Sequence, residues 1–124
     1  MRKFISLFVA LLFSACTTPL APNPYEIRSA YFGQMPPQEA VTPLVQTYMS
    51  QLLFDPYSAV YACGAPLKAW VNWYSSLYYG YVVWCNINAK NRFGGYVGAQ
   101  RHGFLIKDHS VLLHGDFAYI GYVP

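Results

Sequence analysis

Nucleophilic and metal-binding side chains are few in this chain of 124 residues, which has three cysteines and three histidines. A thiol hydrolase needs a cysteine and a histidine within reach of each other, and only Cys85 with His102 suggests such a pair. Cys85 lies in an apolar run, which disfavours a reactive thiolate. The histidines at 102, 109 and 114 match no compact zinc motif. The sequence therefore predicts no enzymatic activity, no metal site and no cofactor.

Cys16 follows a segment typical of an export signal. Arg2 and Lys3 precede FISLFVALLF, an apolar run of signal-peptide length that is too short to span a membrane. The ending LFSAC resembles the lipobox of bacterial lipoproteins, with Phe13 where leucine is usual. This resemblance implies diacylglycerol on the Cys16 thiol, cleavage before it, and acylation of the new amino group by a fatty acid such as palmitate. The alternatives are an ordinary signal peptide and a short N-terminal helix.

Removal of residues 1–15 as a signal peptide changes the charge balance of the chain. From Cys16 onward 109 residues remain, with six basic and five acidic side chains. This near-neutral balance predicts no nucleic-acid partner. Thr17, rather than aspartate, follows the cysteine, which resembles lipoproteins sent to the outer membrane. We therefore predict a lipid anchor on the periplasmic face of the outer membrane, and retention in the inner membrane stays open.

Cys63 and Cys85 remain once Cys16 is assigned to lipid attachment. In an oxidising periplasm a remaining pair of cysteines most simply forms a disulfide. Its loop of about 23 residues corresponds to about 3 kcal/mol of stabilisation in the chain-entropy estimate. Two buried free thiols are the alternative.

The most distinctive segment, NINAKNRFGGYVGAQRHG, combines asparagines, glycines, cations and aromatic rings. Its glycine spacing lacks the ending of a phosphate-binding loop. A rigid loop with exposed cations and rings suits recognition of a protein or a glycan carboxylate. The predicted partner-binding residues here are Lys90, Asn91, Arg92, Phe93 and Tyr96. The alternative is purely structural, since asparagines mimic backbone turns and glycines shape hairpin connections.

Trp70 and Trp73 form a second candidate surface within the aromatic stretch of residues 70–79, a predicted hairpin that turns at Ser75 and Ser76. Alternate residues of a strand face opposite sides, so one face of this hairpin is expected in the core and the other exposes rings. An exposed aromatic face suits a protein interface or stacking against sugars.

The N-terminal part of the mature chain is predicted to be a tether followed by a helix. Residues 16–36 are predicted as the lipidated cysteine and a proline-rich extended tether, part of which docks on the domain or on a neighbour. The segment VTPLVQTYMSQLL then has apolar residues at helical spacing. This helix is predicted to begin after Pro37 and to end at Phe54, because Asp55 precedes a proline.

Five short runs rich in β-branched and aromatic residues follow the helix: SAVYAC, LKAWVNWY, GYVVWCNIN, GFLIKD and SVLLH. Turn residues, among them Gly80, separate the runs, and no second helix of useful length lies between them. The runs should therefore pair antiparallel. The prediction is a single α+β domain over residues 37–124, with one amphipathic helix packed on a small antiparallel sheet of about four to five strands.

The segments LLFDPYSAVY and VVWCNINAKNRFGGYVG together resemble a group of small proteobacterial lipoproteins and exported proteins. The shared patterns are Leu-x-Asp-Pro-x-Ser-Ala and Asn-Ala-Lys-Asn-x-x-Gly-Gly-Tyr-x-Gly, and the resemblance covers roughly residues 36–113. Most members have no assigned biochemical activity, so the resemblance implies fold and location more than chemistry. Some small lipoproteins of similar size are accessory parts of envelope-spanning secretion machines.

The predicted function is that of a lipid-anchored periplasmic module that binds proteins, as a structural or accessory subunit of a cell-envelope complex such as a secretion system. The expected partners are that envelope protein complex and, through the anchor, the membrane. The alternative is a lipoprotein that binds peptidoglycan or inhibits a cell-wall hydrolase, with Trp70 and Trp73 against the sugar.

Overall fold

The computed structural model describes residues 20–124, so the predicted signal peptide and the lipid attachment at Cys16 lie outside the described residues. The helices are α1, Pro24–Ser29, and α2, Gln38–Met49. The strands are β1, Asp55–Cys63; β2, Leu67–Trp73; β3, Ser76–Lys90; β4, Gln100–Lys107; β5, Ser110–Gly115; and β6, Tyr119–Tyr122. The predicted α+β class is confirmed, with six strands in the sheet where about four to five were expected. Neither helix in this part of the chain is long and apolar enough to cross a membrane.

A long hairpin forms the centre of the sheet. β1 and β2 lie end to end along one edge of β3, with Cys63 opposite Cys85 and Leu67 opposite Val82. Only residues 64–66 interrupt what is otherwise one strand. Residues 55–90 therefore fold back on themselves around a two-residue turn that follows Trp73.

The sheet is curled, which follows from its strand order, β5-β4-β3-β2-β6. In a flat sheet the four spacings between β5 and β6 would separate these strands by about 19 Å. The connection between Gly115 and Tyr119 can cover at most about 14 Å. The two sides of the sheet must therefore approach each other. In agreement, a Cβ atom on Gly115 would lie 2.5 Å from the ring of Trp73 on β2.

Each face of the sheet carries a hydrophobic core. On one face, Val41, Val45 and Met49 of α2 pack on residues from β3 and β4: Val83, Cys85, Ile87, Phe104 and Ile106. On the other face, the curl encloses a smaller cluster: Ala69, Val71, Val82, Leu105 and Phe117. Burial on both faces accounts for the apolar runs at Val82 and Val83 of β3 and at residues 103–106 of β4, because both sides of the sheet are covered there.

The N-terminal segment, residues 20–36, lies on the domain. Asn23 and Glu26 form a capping box with a proline after the cap, and this starts α1. Phe32 is 5% exposed and packs edge-on against Tyr79, with 5.4 Å between the ring centres. The expectation of an extended tether is therefore wrong over α1, because the local capping signal outweighs the proline content.

The helix α2 begins after Pro37, as predicted, but ends at Met49 rather than at Phe54. Beyond Met49 the chain continues in turns, with the N–H groups of Leu52 and Leu53 both bonded to the Met49 carbonyl. The early end lets Asp55 reach its position opposite Lys90 on β3.

Three features of the strands differ from the prediction. The hairpin turns at Tyr74 and Ser75 rather than at Ser75 and Ser76, because Ser76 pairs with Trp73 as the first residue of β3. Gly80 lies inside β3 and does not separate two strands. A glycine fits there because a Cβ atom would lie 2.6 Å from the Ile106 carbonyl oxygen. The short strand β6 was not predicted, and it pairs with β2 along Tyr119–Tyr122.

Candidate functional site

The two groups of predicted partner-binding residues lie toward opposite ends of the long hairpin. Lys90 closes β3, and Asn91, Arg92, Phe93 and Tyr96 follow it in the connection to β4. Trp70 and Trp73 lie on β2, close to the turn that precedes β3. A strand of 15 residues extends about 45 Å when straight. The two groups therefore form separate surfaces.

Two asparagines hold the loop of residues 91–98 in a fixed shape. The side-chain oxygen of Asn91 accepts hydrogen bonds from the backbone N–H groups of Phe93, at 2.9 Å, and Gly95, at 3.2 Å. The side-chain oxygen of Asn88 accepts from the N–H of Gly98 at 3.1 Å. The structural role that the sequence offers for these asparagines is thus present in the fold.

The same loop carries an exposed apolar and cationic surface. The hydroxyl of Tyr96 donates to the Ser58 carbonyl of β1 at 2.8 Å, and the Lys90 ammonium lies 5.3 Å from the centre of its ring. These contacts fasten the loop to the sheet. The side chain of Phe93 is 89% exposed, and its neighbour Arg92 is exposed as well. The name loop surface is used below for Arg92, Phe93, Tyr96 and Val97.

Trp70 and Trp73 are half-buried and pack mainly within the protein. Trp73 lies against Gly115 and contacts Phe117 edge-on, with 5.6 Å between ring centres. Trp70 covers Gly121 so closely that a Cβ atom there would lie 2.2 Å from its indole ring. A ring over a glycine on a neighbouring strand is a packing device of sheets. Partner binding by these tryptophans stays a prediction, and it concerns only the parts of the rings that remain exposed.

Cys63 and Cys85 form the predicted disulfide between directly opposite positions of β1 and β3, with 4.0 Å between their Cα atoms. His102 on β4 lies opposite Cys85 on its other side. The one thiol and imidazole pair that the sequence suggests is therefore brought together. The sulfur of Cys85 is bonded to Cys63, so no thiolate is available for nucleophilic attack while the bond is intact.

A pair of histidines is a feature that the sequence analysis missed. His102 on β4 and His114 on β5 approach to 2.9 Å between ring nitrogens, and Phe104 stacks on His114 at 4.6 Å. Burial lowers the pKa of both imidazoles, and the neighbouring His102 lowers the pKa of His114 further. Within residues 20–124 no group of three or more potential ligands could hold a metal ion. Strand pairing, which spacing along the chain does not give, would have been needed to find this pair.

Comparisons of the chain with protein-family models, curated proteins and solved structures find no match. The resemblance to small proteobacterial lipoproteins therefore stays a prediction. Support for a function comes from the chemistry of the described residues and from the segment that precedes them.

Proposed function

We propose that this protein is a lipid-anchored periplasmic interaction module, a structural or accessory subunit of a cell-envelope complex such as a secretion system, and not an enzyme. The observation that supports it most is the loop surface, where a hydrogen-bonded loop leaves Phe93 89% exposed. An aromatic side chain costs free energy when it stays in water, and a rigid exposed ring with an arginine beside it is typical of residues that dominate protein interfaces.

The fixed shape of the loop favours binding. Association costs free energy when flexible segments must be ordered, so a loop that is already ordered loses less. Asn91 supplies this order from inside the loop through Phe93 and Gly95, while Tyr96 ties the loop to β1. Tyr57, in the neighbouring part of β1, is fully exposed and extends the apolar area at this end of the molecule.

The anchoring part of the proposal depends on the segment that ends in Cys16, together with the disulfide. Disulfides persist in oxidising compartments, and the Cys63–Cys85 bond is compatible with a periplasmic location. We place the anchor in the outer membrane, on the periplasmic face, because Thr17 follows Cys16.

Binding to peptidoglycan, the alternative function, has less support. Its candidate residues each cover a glycine: Trp70 covers Gly121 on the neighbouring β6, and Trp73 covers Gly115 on β5, across the curl. Stacking on a sugar requires an open ring face, and these contacts together with the partial burial of both rings reduce the ring area that remains open. Retention on purified sacculi that is lost in Trp70→Ala and Trp73→Ala variants would restore this function as the better explanation.

The test is isolation of the complex from intact envelopes. The full chain with a C-terminal tag is extracted in mild detergent, and the proteins that co-purify are identified and quantified by mass spectrometry beside a Cys16→Ala control. We expect an assembly of constant stoichiometry that is absent from the control. A lone monomer from the unmodified chain would contradict the proposal.

A matched pair of variants tests the loop surface. Phe93→Ala should reduce recovery of the assembly at least tenfold, as expected for loss of a residue that contributes about 1.4 kcal/mol or more to binding. Tyr25→Ala is the control, because Tyr25 is an exposed tyrosine of α1 that lies outside both the loop surface and the hairpin. Equal recovery in both variants would show that the loop surface is not the contact.

A further inference from the structure

The start of the described chain lies at the turn end of the hairpin. The side-chain amide of Asn72 donates a hydrogen bond to the carbonyl of Leu20 at 2.7 Å. Asn72 is the penultimate residue of β2, and its neighbour on β6 is Tyr119. Cys16 precedes Leu20 by four residues, so its Cα atom lies within about 14 Å of that of Leu20 whatever path the chain takes.

The hairpin at this end of the molecule is aromatic and uncharged, and the adjoining connection from β5 to β6, which packs on Trp73 through Gly115 and Phe117, carries the exposed Asp116. From Ala69 to Tyr79 the chain contains no Asp, Glu, Lys or Arg. Tyr74 is 89% exposed and contacts Trp73 edge-on at 5.3 Å between ring centres. Leu20 and Tyr119 are each about half exposed. The name tip surface is used below for Leu20, Trp73, Tyr74, Ser75 and Tyr119.

The backbone at the tip surface is held in an unfavourable conformation. Tyr74 and Ser75 have φ values of 48° and 64°, and two-residue turns of this kind are usually built from Asn and Gly. A bulky side chain in this region carries a steric penalty that glycine would avoid.

We propose that the tip surface rests on the interfacial layer of the membrane that holds the lipid anchor. The inference depends on the proposed function, because it takes Cys16 as the acylated residue. Tyrosine and tryptophan prefer the boundary between hydrocarbon and water, since each has an apolar body and a polar group. The short link from Cys16 keeps these rings at the bilayer surface, so the tip surface fixes the orientation of a domain that the acyl chains alone would leave free to rotate.

With the tip surface in contact with the bilayer, the rest of the molecule points away from the membrane. β3 begins at the tip surface and ends at the loop surface, a path of about 45 Å in a straight strand. The loop surface is therefore presented to the periplasmic space, at the end of the molecule farthest from the lipid.

Site-directed spin labelling of the full lipidated chain tests this membrane contact. Ser76→Cys places a label beside the tip surface, and Gln100→Cys places one at the other end; both positions are exposed ends of strands. Cys63 and Cys85 are bonded to each other, and acylation occupies Cys16, so only the new thiol reacts. The protein is reconstituted in vesicles of phosphatidylethanolamine and phosphatidylglycerol, and collisions of each label with oxygen and with a water-soluble nickel chelate are measured.

On reconstitution we expect a severalfold loss of collisions between the Ser76→Cys label and the chelate, and no change for the Gln100→Cys label. An added Tyr74→Ser substitution should return the Ser76→Cys label to water, whereas Phe93→Ser should leave it protected. The membrane contact of the tip surface is overturned, and the proposed function is not, if two results occur together. The Ser76→Cys label stays as accessible as the Gln100→Cys label, and the mass of the chain includes the acyl groups. A chain without acyl groups overturns the lipid-anchored function and the membrane contact with it.

Discussion

The two ends of β3 obtain their shapes in different ways. At the loop end, residues 91–99 connect β3 to β4, and side-chain oxygens of Asn88 and Asn91 bond the backbone. At the tip end only Tyr74 and Ser75 connect the strands, and the order comes from rings packed behind the turn. A polar network can be weakened one bond at a time, whereas aromatic packing across a curled sheet couples the turn to distant strands. The loop end should therefore tolerate substitution locally, and the tip end should not.

The largest effect is expected from removal of the disulfide, which lies between the two ends. The double variant Cys63→Ala, Cys85→Ala should lower the free energy of unfolding by about 3 kcal/mol, because the unfolded chain regains the freedom of a 23-residue loop. Denaturant unfolding of full-length chains that also carry Cys16→Ala measures this change. A loss well below about 1 kcal/mol would mean that the bond hardly restricts the unfolded chain.

Gly115→Ala tests the coupling at the tip end. The added Cβ atom would meet the Trp73 ring at 2.5 Å, so the ring must move and the curl must open. We expect destabilisation by about 2 kcal/mol, as for overpacking of a core. Gly64→Ala is the control, because its nearest neighbour would be at an ordinary distance of 3.6 Å, and it should change stability by less than about 0.5 kcal/mol. Equal losses in thermal or denaturant unfolding would contradict the coupling.

Asn91→Ala tests the loop end. Loss of two hydrogen bonds to backbone N–H groups at an exposed site should cost about 1 kcal/mol. Amide hydrogen exchange should become faster within residues 91–98 and stay unchanged around Tyr74. Asn86→Ala, an exposed position inside β3, is the control and should leave exchange in the loop unchanged. Faster exchange at both ends in Asn91→Ala would mean that the ends are not independent.

The smallest effect concerns pH and the histidine pair between the two ends. His102 and His114 have lowered pKa values in the folded protein, so the unfolded chain, with values near 6.5, takes up protons first as pH falls. The stabilisation that comes from keeping this pair neutral should therefore be complete above a pH of about 6.5. The free energy of unfolding should fall as the pH decreases below that value. His102→Gln with His114→Gln should flatten this dependence, whereas His109→Asn, in the exposed turn before β5, should keep it. An unchanged slope in the double variant would contradict the assignment.

Much of the fold could be predicted because its signals are local. The apolar spacing from Val41 to Met49 predicts α2, and the two cysteines that remain once Cys16 is assigned to lipid attachment predict the disulfide. The tendency of asparagine to mimic backbone turns predicts the hydrogen bonds that Asn88 and Asn91 accept in the loop. In contrast, β6 has four residues with Gly121 inside, and it pairs with β2, where Trp70 covers that glycine from a position 51 residues earlier in the chain. The sequence around β6 therefore gives no sign of that contact.

The candidate surfaces show the same limit. Arg92 and Phe93 are exposed, as their polar, glycine-rich segment suggests. The rings of Trp70 and Trp73 are half-buried because they pack over glycines of other strands, and the pattern along β2 does not predict those glycines. The histidine pair arises from the pairing of β4 with β5 and joins positions twelve residues apart. Each of these differences depends on how strands meet in space, and alternation along one strand says only which side a residue faces.

The long hairpin of residues 55–90 also has a consequence for how the chain folds. Its contacts join neighbouring stretches of sequence, and closing short loops costs less entropy than closing long ones. On the proposed export route the chain would cross the inner membrane from its N-terminus and expose both cysteines of this hairpin to the oxidising compartment before β4, β5 and β6 arrive. We expect the correct cysteines to be joined while the chain is still being translocated, and β6 to add last, completing the curl only after release of the C-terminus.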